Sequence, residues 1–369
     1  MGHIFLSCLF FNLILCSLYR KYKRNIFFIK KSDLSLYIIL FILFGTLGGG
    51  EGDYIHYKEI VESYHDYSDV LFFTGMERQY VFLAYIVGGN YTLWRFVLFS
   101  IQFVGLGFFL YKAKLNTYPV LLSFTSFCLV TSVYGRSFWG FIYFFLGVYL
   151  LIQNKNPLYL IAVLLCYVSH TSEIVLIALL PLAFININKW NILFFFLFSG
   201  LLVSIFKEKF TDLLNSGGFN YEGADYINNR MLNYGNKEAE SYFGKSIGQT
   251  ITIILRDSYV IAILFSIIKL MFKNNIVYLT IEKPVRSIVN ITIGITIIAS
   301  IILAASIGGA VLFYRIFDMT FFPISIILPC LRYYNVFNKR KYDIYIFLFI
   351  FYTEFSYLID LYYAYAHGI

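Results

Sequence analysis

The chain has 369 residues, of which 59% are hydrophobic, 21% aromatic and only 14% charged, and its mean hydropathy is +0.71. Soluble domains average about 45–50% apolar and about 25% charged residues, so a water-soluble fold of this composition would expose large contiguous apolar areas; disorder needs the opposite balance. The net charge of +8 is read first as the basic loops of a membrane protein and not as a nucleic-acid footprint. The expected fold is all-α: a polytopic integral membrane protein with about 12 transmembrane helices, one membrane domain over residues 1–369.

A spanning helix needs about 20 apolar residues, fewer where polar ends snorkel or the bilayer thins. In chain order the apolar runs predict helices near 4–19, 33–49, 92–111, 117–133, 137–152, 157–169, 172–186, 190–206, 247–272, 287–306, 315–331 and 343–363. The first run has its basic residues after it (Arg20, Lys21, Lys23, Arg24), the reverse of a secretory signal, so it reads as an uncleaved helix with its N-terminus outside. The runs 157–169 and 172–186 are short, and predict either two short spans meeting at a polar kink or one re-entrant segment. Gln79 to Gly88 is shorter again and reads as a half-helix on the outer side.

This topology places 18 of the 29 basic residues in short cytoplasmic loops. The other 11, among them Arg78, Arg95, Arg136, Arg256 and Arg315, fall at or near the outer face. Charge bias in short loops sets orientation, whereas long loops translocate largely regardless of charge. Two outer loops stand out. One, over 50–78, is acidic and rich in tyrosine and leads into the half-helix that ends at residue 88; the other spans 207–246 and is rich in Asn, Gly and Tyr. Loops of this length are usually functional, and their residue types suit sugars: rings stack on sugar faces, and amides and carboxylates bond hydroxyls.

Several textual motifs fail on context. Gly244-Lys245-Ser246 ends like a phosphate-binding loop, but the leading glycine would fall at Ala239 and no buried strand precedes it. Gly45 and Gly49 make a GxxxG pair that reads as close helix packing. Asn290-Ile291-Thr292 fits a glycosylation sequon but enters an apolar run. The five cysteines lie in apolar runs without metal or disulfide spacing, and the histidines have no ligand-spaced companions beyond His56 and His65 in one loop, so no metal is expected.

Charges at membrane depth cost about 3 kcal/mol each on insertion scales and are functional candidates by default. Arg136 lies between two apolar runs at the outer end of both. His170 interrupts two short helices in Ser169-His170-Thr171-Ser172-Glu173, and broken helices persist only where backbone lines a cavity or is buried. Arg256 and Asp257 are adjacent in an apolar stretch; Arg315 opens a helix with Asp318 one turn on; Glu77 and Arg78 open the half-helix. Simple structural readings exist for each: Arg315 and Asp318 at i,i+3 suit a local ion pair, Arg136 an interfacial snorkel, His170 a hydrogen-bonded core histidine. Together, arginines near the outer interface suit a polyanionic lipid headgroup, because guanidinium forks bind phosphate bidentately. A histidine on the same side suits general-base work, since an unperturbed imidazole titrates at about pH 6.5. The combination reads as transfer chemistry on a lipid pyrophosphate.

At these residues the chain resembles the EpsG-like branch of Wzy-type polysaccharide (O-antigen or capsule) polymerases. The resemblance is carried, in order, by Gly52-Asp53-Tyr54 with Tyr57, Glu77 at the start of the half-helix, Gly135-Arg136-Ser137, Ser169-His170-Thr171-Ser172 before a run reaching Pro181, and Phe313-Tyr314-Arg315 before Leu328-Pro329. Ser137 stands where the family usually has Gln. What the resemblance implies is a metal-independent, cofactor-free glycosyltransferase of the bacterial inner membrane with its site facing the periplasm or outside. It would move a nascent glycan from undecaprenyl pyrophosphate onto a lipid-linked repeat unit, with a chain-length regulator as a further partner and no nucleic acid. His170, Arg136, Arg315 and Glu77 would be catalytic; Arg78, Asp53, Tyr54, Tyr57, Glu173, Arg256 and Tyr314 would bind substrate. The alternatives are a membrane O-acyltransferase acting on a surface polysaccharide, a lipid-linked oligosaccharide flippase or other transporter, and a scaffold that would need neither His170 nor Arg136.

Overall fold

The computed structural model describes residues 29–47, 54–63, 78–115, 117, 120–121, 136–169, 173–186, 189–216, 261–266, 268–269, 281–304, 316–317, 319–320, 322–324, 326–327 and 344. The predicted helix 4–19, and nearly all of 117–133 and 343–363, lie outside the described residues; of 247–272 and 315–331 only short helical pieces lie within them. Every described element is helical, and no extended strand occurs among the described residues. In order they are α1 (Lys31–Leu47), α2 (Tyr54–Ser63), α3 (Arg78–Ile86), α4 (Tyr91–Lys112), α5 (Arg136–Asn154), α6 (Tyr159–Ser169), α7 (Ile174–Leu179) with a 3-10 turn at Leu180–Ala183, α8 (Lys189–Ser216) and α9 (Lys283–Ala304). Two described helices, Tyr91–Lys112 and Lys283–Ile301, are long and apolar enough to cross a membrane.

Three of these elements differ in extent from the sequence expectation. A ten-residue helix, α2, forms inside the stretch 50–78 read as loop, because Tyr57, Ile60 and Val61 recur at helical spacing and bury one face. Helix α8 runs 28 residues to Ser216, ten residues into the stretch 207–246. The run 172–186 forms only the six-residue α7 and the 3-10 turn, which Pro181 opens by occupying its first positions, where a missing N–H is tolerated.

The chain divides into two compact units, Met1–Ala178 and Leu179–Ile369. In the first, α1 and α4 run antiparallel at close range. A Cβ at Gly45 would lie 2.7 Å from the Phe99 ring, and one at Gly107 would lie 3.0 Å from Ile38 Cγ1. The packing role read for Gly45 in the sequence is therefore the one it has. Phe41, Phe99, Phe103 and Trp139 join α1, α4 and α5: Phe41 stacks on Phe103 at 5.2 Å, and Trp139 meets Phe103 edge-on at 4.9 Å. Helices α5 and α6 are antiparallel and share a glycine seam. A Cβ at Gly140 would lie 3.2 Å from the Cys166 carbonyl oxygen, and one at Gly147, two turns on, would lie 3.0 Å from the Val163 nitrogen. The outward side of α4, with Leu93, Phe96, Ile101, Val104 and Phe108 exposed, is apolar throughout, as a lipid-facing surface is.

In the second unit α9 forms the core, with Ile288, Val289, Ile291, Thr292 and Ile295 fully buried. It holds the turn after α7 by hydrogen bonds. Asn290 Nδ2 donates to the Leu182 and Ile185 carbonyls at 3.2 and 3.0 Å, and Ser287 Oγ to the Ala183 carbonyl at 2.6 Å. The textual sequon at Asn290 is thus a buried helix position.

Candidate functional site

Four helix termini of the first unit meet at one end. The half-helix α3 is fixed through Tyr80, two residues after its start. The Tyr80 hydroxyl donates to the Ser169 carbonyl at 3.3 Å, and the Tyr80 carbonyl accepts from Trp94 Nε1 at 3.0 Å. Ser169 is the last residue of α6, whose final carbonyls lack intrahelical partners, so the Tyr80 hydroxyl caps that helix from another element. Trp94 lies one turn into α4, stacks on Tyr91 at 5.8 Å and meets Tyr80 edge-on at 6.4 Å. Tyr57 of α2 is buried in the same cluster, with Val61, Val81 and Ala84. Asn90 caps α4 by accepting the Leu93 N–H at 3.0 Å.

Glu173 lies on the far side of the break that follows Ser169, and it is fully buried. Its room comes from Gly140: a Cβ there would lie 2.7 Å from Glu173 Cγ and 3.2 Å from Glu173 Cδ. The Glu173 carbonyl oxygen lies 4.0 Å from Cys166 Sγ. A continuous helix would carry residue 173 about 10 Å beyond residue 166. Glu173 therefore lies beside the last turns of α6 and not beyond them, so α6 does not run on straight through residue 173. Arg136 is the first residue of α5, one turn before Gly140.

Of the residues expected from the sequence to form the site, the structure brings the positions of Tyr57, Arg78, Arg136 and Glu173 to this end. Tyr54 opens α2; its side chain and those of Arg78 and Arg136 lie outside the described set. His170, Glu77, Asp53, Arg256, Tyr314 and Arg315 lie outside the described residues, although Ser169 and Glu173 bracket the His170 segment at this end. The starts of α3, α4 and α5 also face this end. Helix N-termini carry about half a positive charge each and C-termini about half a negative charge, so the starts of α3, α4 and α5 offset the ends of α1 and α6 gathered at the same end.

Four contributors were not singled out in the sequence: Tyr80, Trp94, Gly140 and Arg95. In the sequence Arg95 reads only as one of the outer basic residues. It is buried, and its Nε donates to the Gly45 carbonyl at 3.0 Å, with a second contact from Nη2 to the same oxygen. Its guanidinium lies 5.7 Å from the Tyr91 ring centroid and 6.0 Å from that of Phe99. It closes the C-terminal end of α1 against the start of α4. A signal for it existed, since an arginine inside an apolar run is rare without a partner or a role. Nothing in residue type marked Tyr80, Trp94 or Gly140 out from the chain's other aromatics and glycines.

A family model described as the EpsG family matches residues 30–369. No curated protein and no solved structure matches the chain.

Proposed function

The chain belongs to the EpsG family, and on that premise we propose that it is a membrane glycan polymerase. It moves a nascent glycan from undecaprenyl pyrophosphate onto a lipid-linked repeat unit, at the outer face of the bacterial inner membrane, within a fold of about 12 spanning helices. The observation that carries this reading is the meeting, at one end of the first unit, of the helix starts bearing Arg78 and Arg136 with the break at Ser169 and the buried carboxyl of Glu173. A pyrophosphate leaving group needs fixed positive charge where negative charge develops, and two arginine positions beside converging helix N-termini supply it.

In the transfer, an acceptor hydroxyl oxygen forms a bond to the anomeric carbon of the donor glycan. The bond from that carbon to the pyrophosphate oxygen breaks, and undecaprenyl pyrophosphate leaves with the electron pair. His170 takes the hydroxyl proton, Glu77 is a second candidate for it, and Arg136 and Arg315 stabilise the departing diphosphate. Asp53, Tyr54, Arg256 and Tyr314 would bind the acceptor unit, with Tyr57, buried in the cluster with Tyr80 and Trp94, supporting them. The chemistry requires neither metal nor cofactor, and a chain-length regulator is the expected protein partner.

Membranes carrying the protein, given a repeat unit on undecaprenyl pyrophosphate, should yield a ladder of polymer. Acyl products would instead assign an acyltransferase, and an unchanged lipid-linked unit would overturn the polymerase reading. His170→Ala should reach normal membrane levels and lower the rate roughly 10²–10⁴-fold, the span expected for loss of a positioned base.

A further inference from the structure

The side chain of Tyr80 joins the half-helix to the end of α6. Tyr80 lies in the first turn of α3, two residues after the position of Arg78, and its hydroxyl reaches 89 residues along the chain to the Ser169 carbonyl, the main-chain group immediately before His170. Its own carbonyl is held by Trp94 Nε1 at 3.0 Å, and Trp94 belongs to α4, a 22-residue helix packed on α1. The ring is enclosed by Tyr57, Val81, Ala84 and Trp94. A nine-residue helix has little stability of its own, because helix nucleation is unfavourable and helices shorter than about 12–15 residues are marginal in isolation. Its placement therefore depends on such contacts. Tyr80 stands where one contact locates two things at once: the start of the half-helix and the end of α6.

Resting on the polymerase reading, we propose that Tyr80 is a positioning residue of the transfer site. Backed by Trp94, it keeps Arg78 of the half-helix in register with the break that carries His170. Its hydroxyl takes no part in bond making. It fixes the distance between the group that would face the diphosphate and the group that would take the proton. Displacements of about 1 Å between reacting groups can lower rates about 10²-fold, so a latch of this kind acts on turnover and not on binding. Loss of alignment that matters only in the transition state lowers kcat without raising KM.

The experiment measures polymer formation on purified lipid-linked repeat unit by the intact protein in nanodiscs, for wild type, Tyr80→Phe, Trp94→Phe and the double variant. Tyr80→Phe keeps the ring and deletes the hydroxyl; Trp94→Phe keeps an aromatic ring and deletes the N–H. Tyr80→Phe is expected to lower kcat at least 10-fold per mole of folded protein, with KM changed less than about 3-fold. The double variant should be no slower than the slower single one, because both changes release the same latch. Wild-type kcat in Tyr80→Phe, or effects that multiply in the double variant, would overturn the proposal. Should Tyr80→Phe fail to accumulate, Trp94→Phe decides alone, a wild-type kcat counting against the latch. An inactive wild type would instead sink the polymerase reading on which the proposal rests.

Discussion

Gly140 and Glu173 explain each other. A carboxyl with no exposed surface between two apolar helices is expensive to maintain, and membrane proteins keep such groups where they serve a site. It fits only because position 140 has no side chain. In Gly140→Ala the added Cβ meets Glu173 Cγ at 2.7 Å and the Cys166 carbonyl oxygen at 3.2 Å, and the second of these is backbone that cannot rotate away. Overpacking of this kind typically costs about 1–3 kcal/mol. Gly140→Ala should therefore lower the thermal midpoint of the purified protein as well as polymer yield. Glu173→Gln keeps the shape and removes the ionisable carboxyl, so the midpoint should hold while polymer synthesis falls. Normal synthesis with Gln would reduce Glu173 to a packing residue. Lys58 and Glu62, by contrast, form an exposed i,i+4 pair at 3.8 Å on α2, a geometry that contributes only a few tenths of a kcal/mol.

At the scale of elements, short helices are held by polar contacts from long ones. Arg95 of α4 closes the end of α1, Tyr80 and Trp94 hold α3 between α4 and α6, and Asn290 of α9 holds the turn after α7. The pattern follows from length. Helix α6 has 11 residues, about 16 Å, roughly half the apolar thickness of a bilayer, so its last carbonyls, which lack intrahelical partners, need donors from other elements. Asn290→Ala removes both donors to the Leu182 and Ile185 carbonyls. Hydrogen bonds between membrane helices average about 0.6 kcal/mol and reach about 1.7, so a loss of about 1 kcal/mol in unfolding free energy is expected. Measured by denaturation in mixed micelles, an undiminished stability would mean that the turn is held by the Ser287 contact and by packing alone. The predicted runs 33–49, 92–111 and 137–152 match α1, α4 and α5 closely. The run 172–186 does not match in the same way: hydropathy counts apolar residues without registering that Pro181 divides them between a six-residue helix and a 3-10 turn.

For the whole molecule, the alternation of apolar runs and basic loops implies that the end of α1, the starts of α4 and α5 and the end of α6 share one side. The contacts Arg95–Gly45, Phe99–Trp139 and Gly140–Cys166 agree with that arrangement within the first unit. Which membrane face this side meets rests on the basic residues of the short loops. Lys58 of α2 and Lys155 after α5 are both exposed, the first at the candidate site's end and the second at the opposite end of α5. An impermeant thiol reagent applied to intact cells should label Lys58→Cys and leave Lys155→Cys unlabelled. The reverse pattern would turn the site to the cytoplasm and remove the basis for an outer-face polymerase.

The amino-acid sequence by itself determined the membrane class, the positions of the long helices and the family, because these depend on run length, charge bias and motif order, all of which are local or additive along the chain. It also singled out Arg136, His170 and Glu173, since charge and helix breaks stand out against an apolar background. Only the tertiary structure decided which distant residues pack against one another around them. The Tyr80–Ser169 contact joins residues 89 apart, the void at Gly140 exists only because Glu173 arrives there, and Arg95 becomes a clamp only when Gly45 presents its carbonyl. In a chain with 33 tyrosines and 25 glycines, residue type cannot distinguish a latch or a cradle from an ordinary packing position; that distinction comes from what packs opposite.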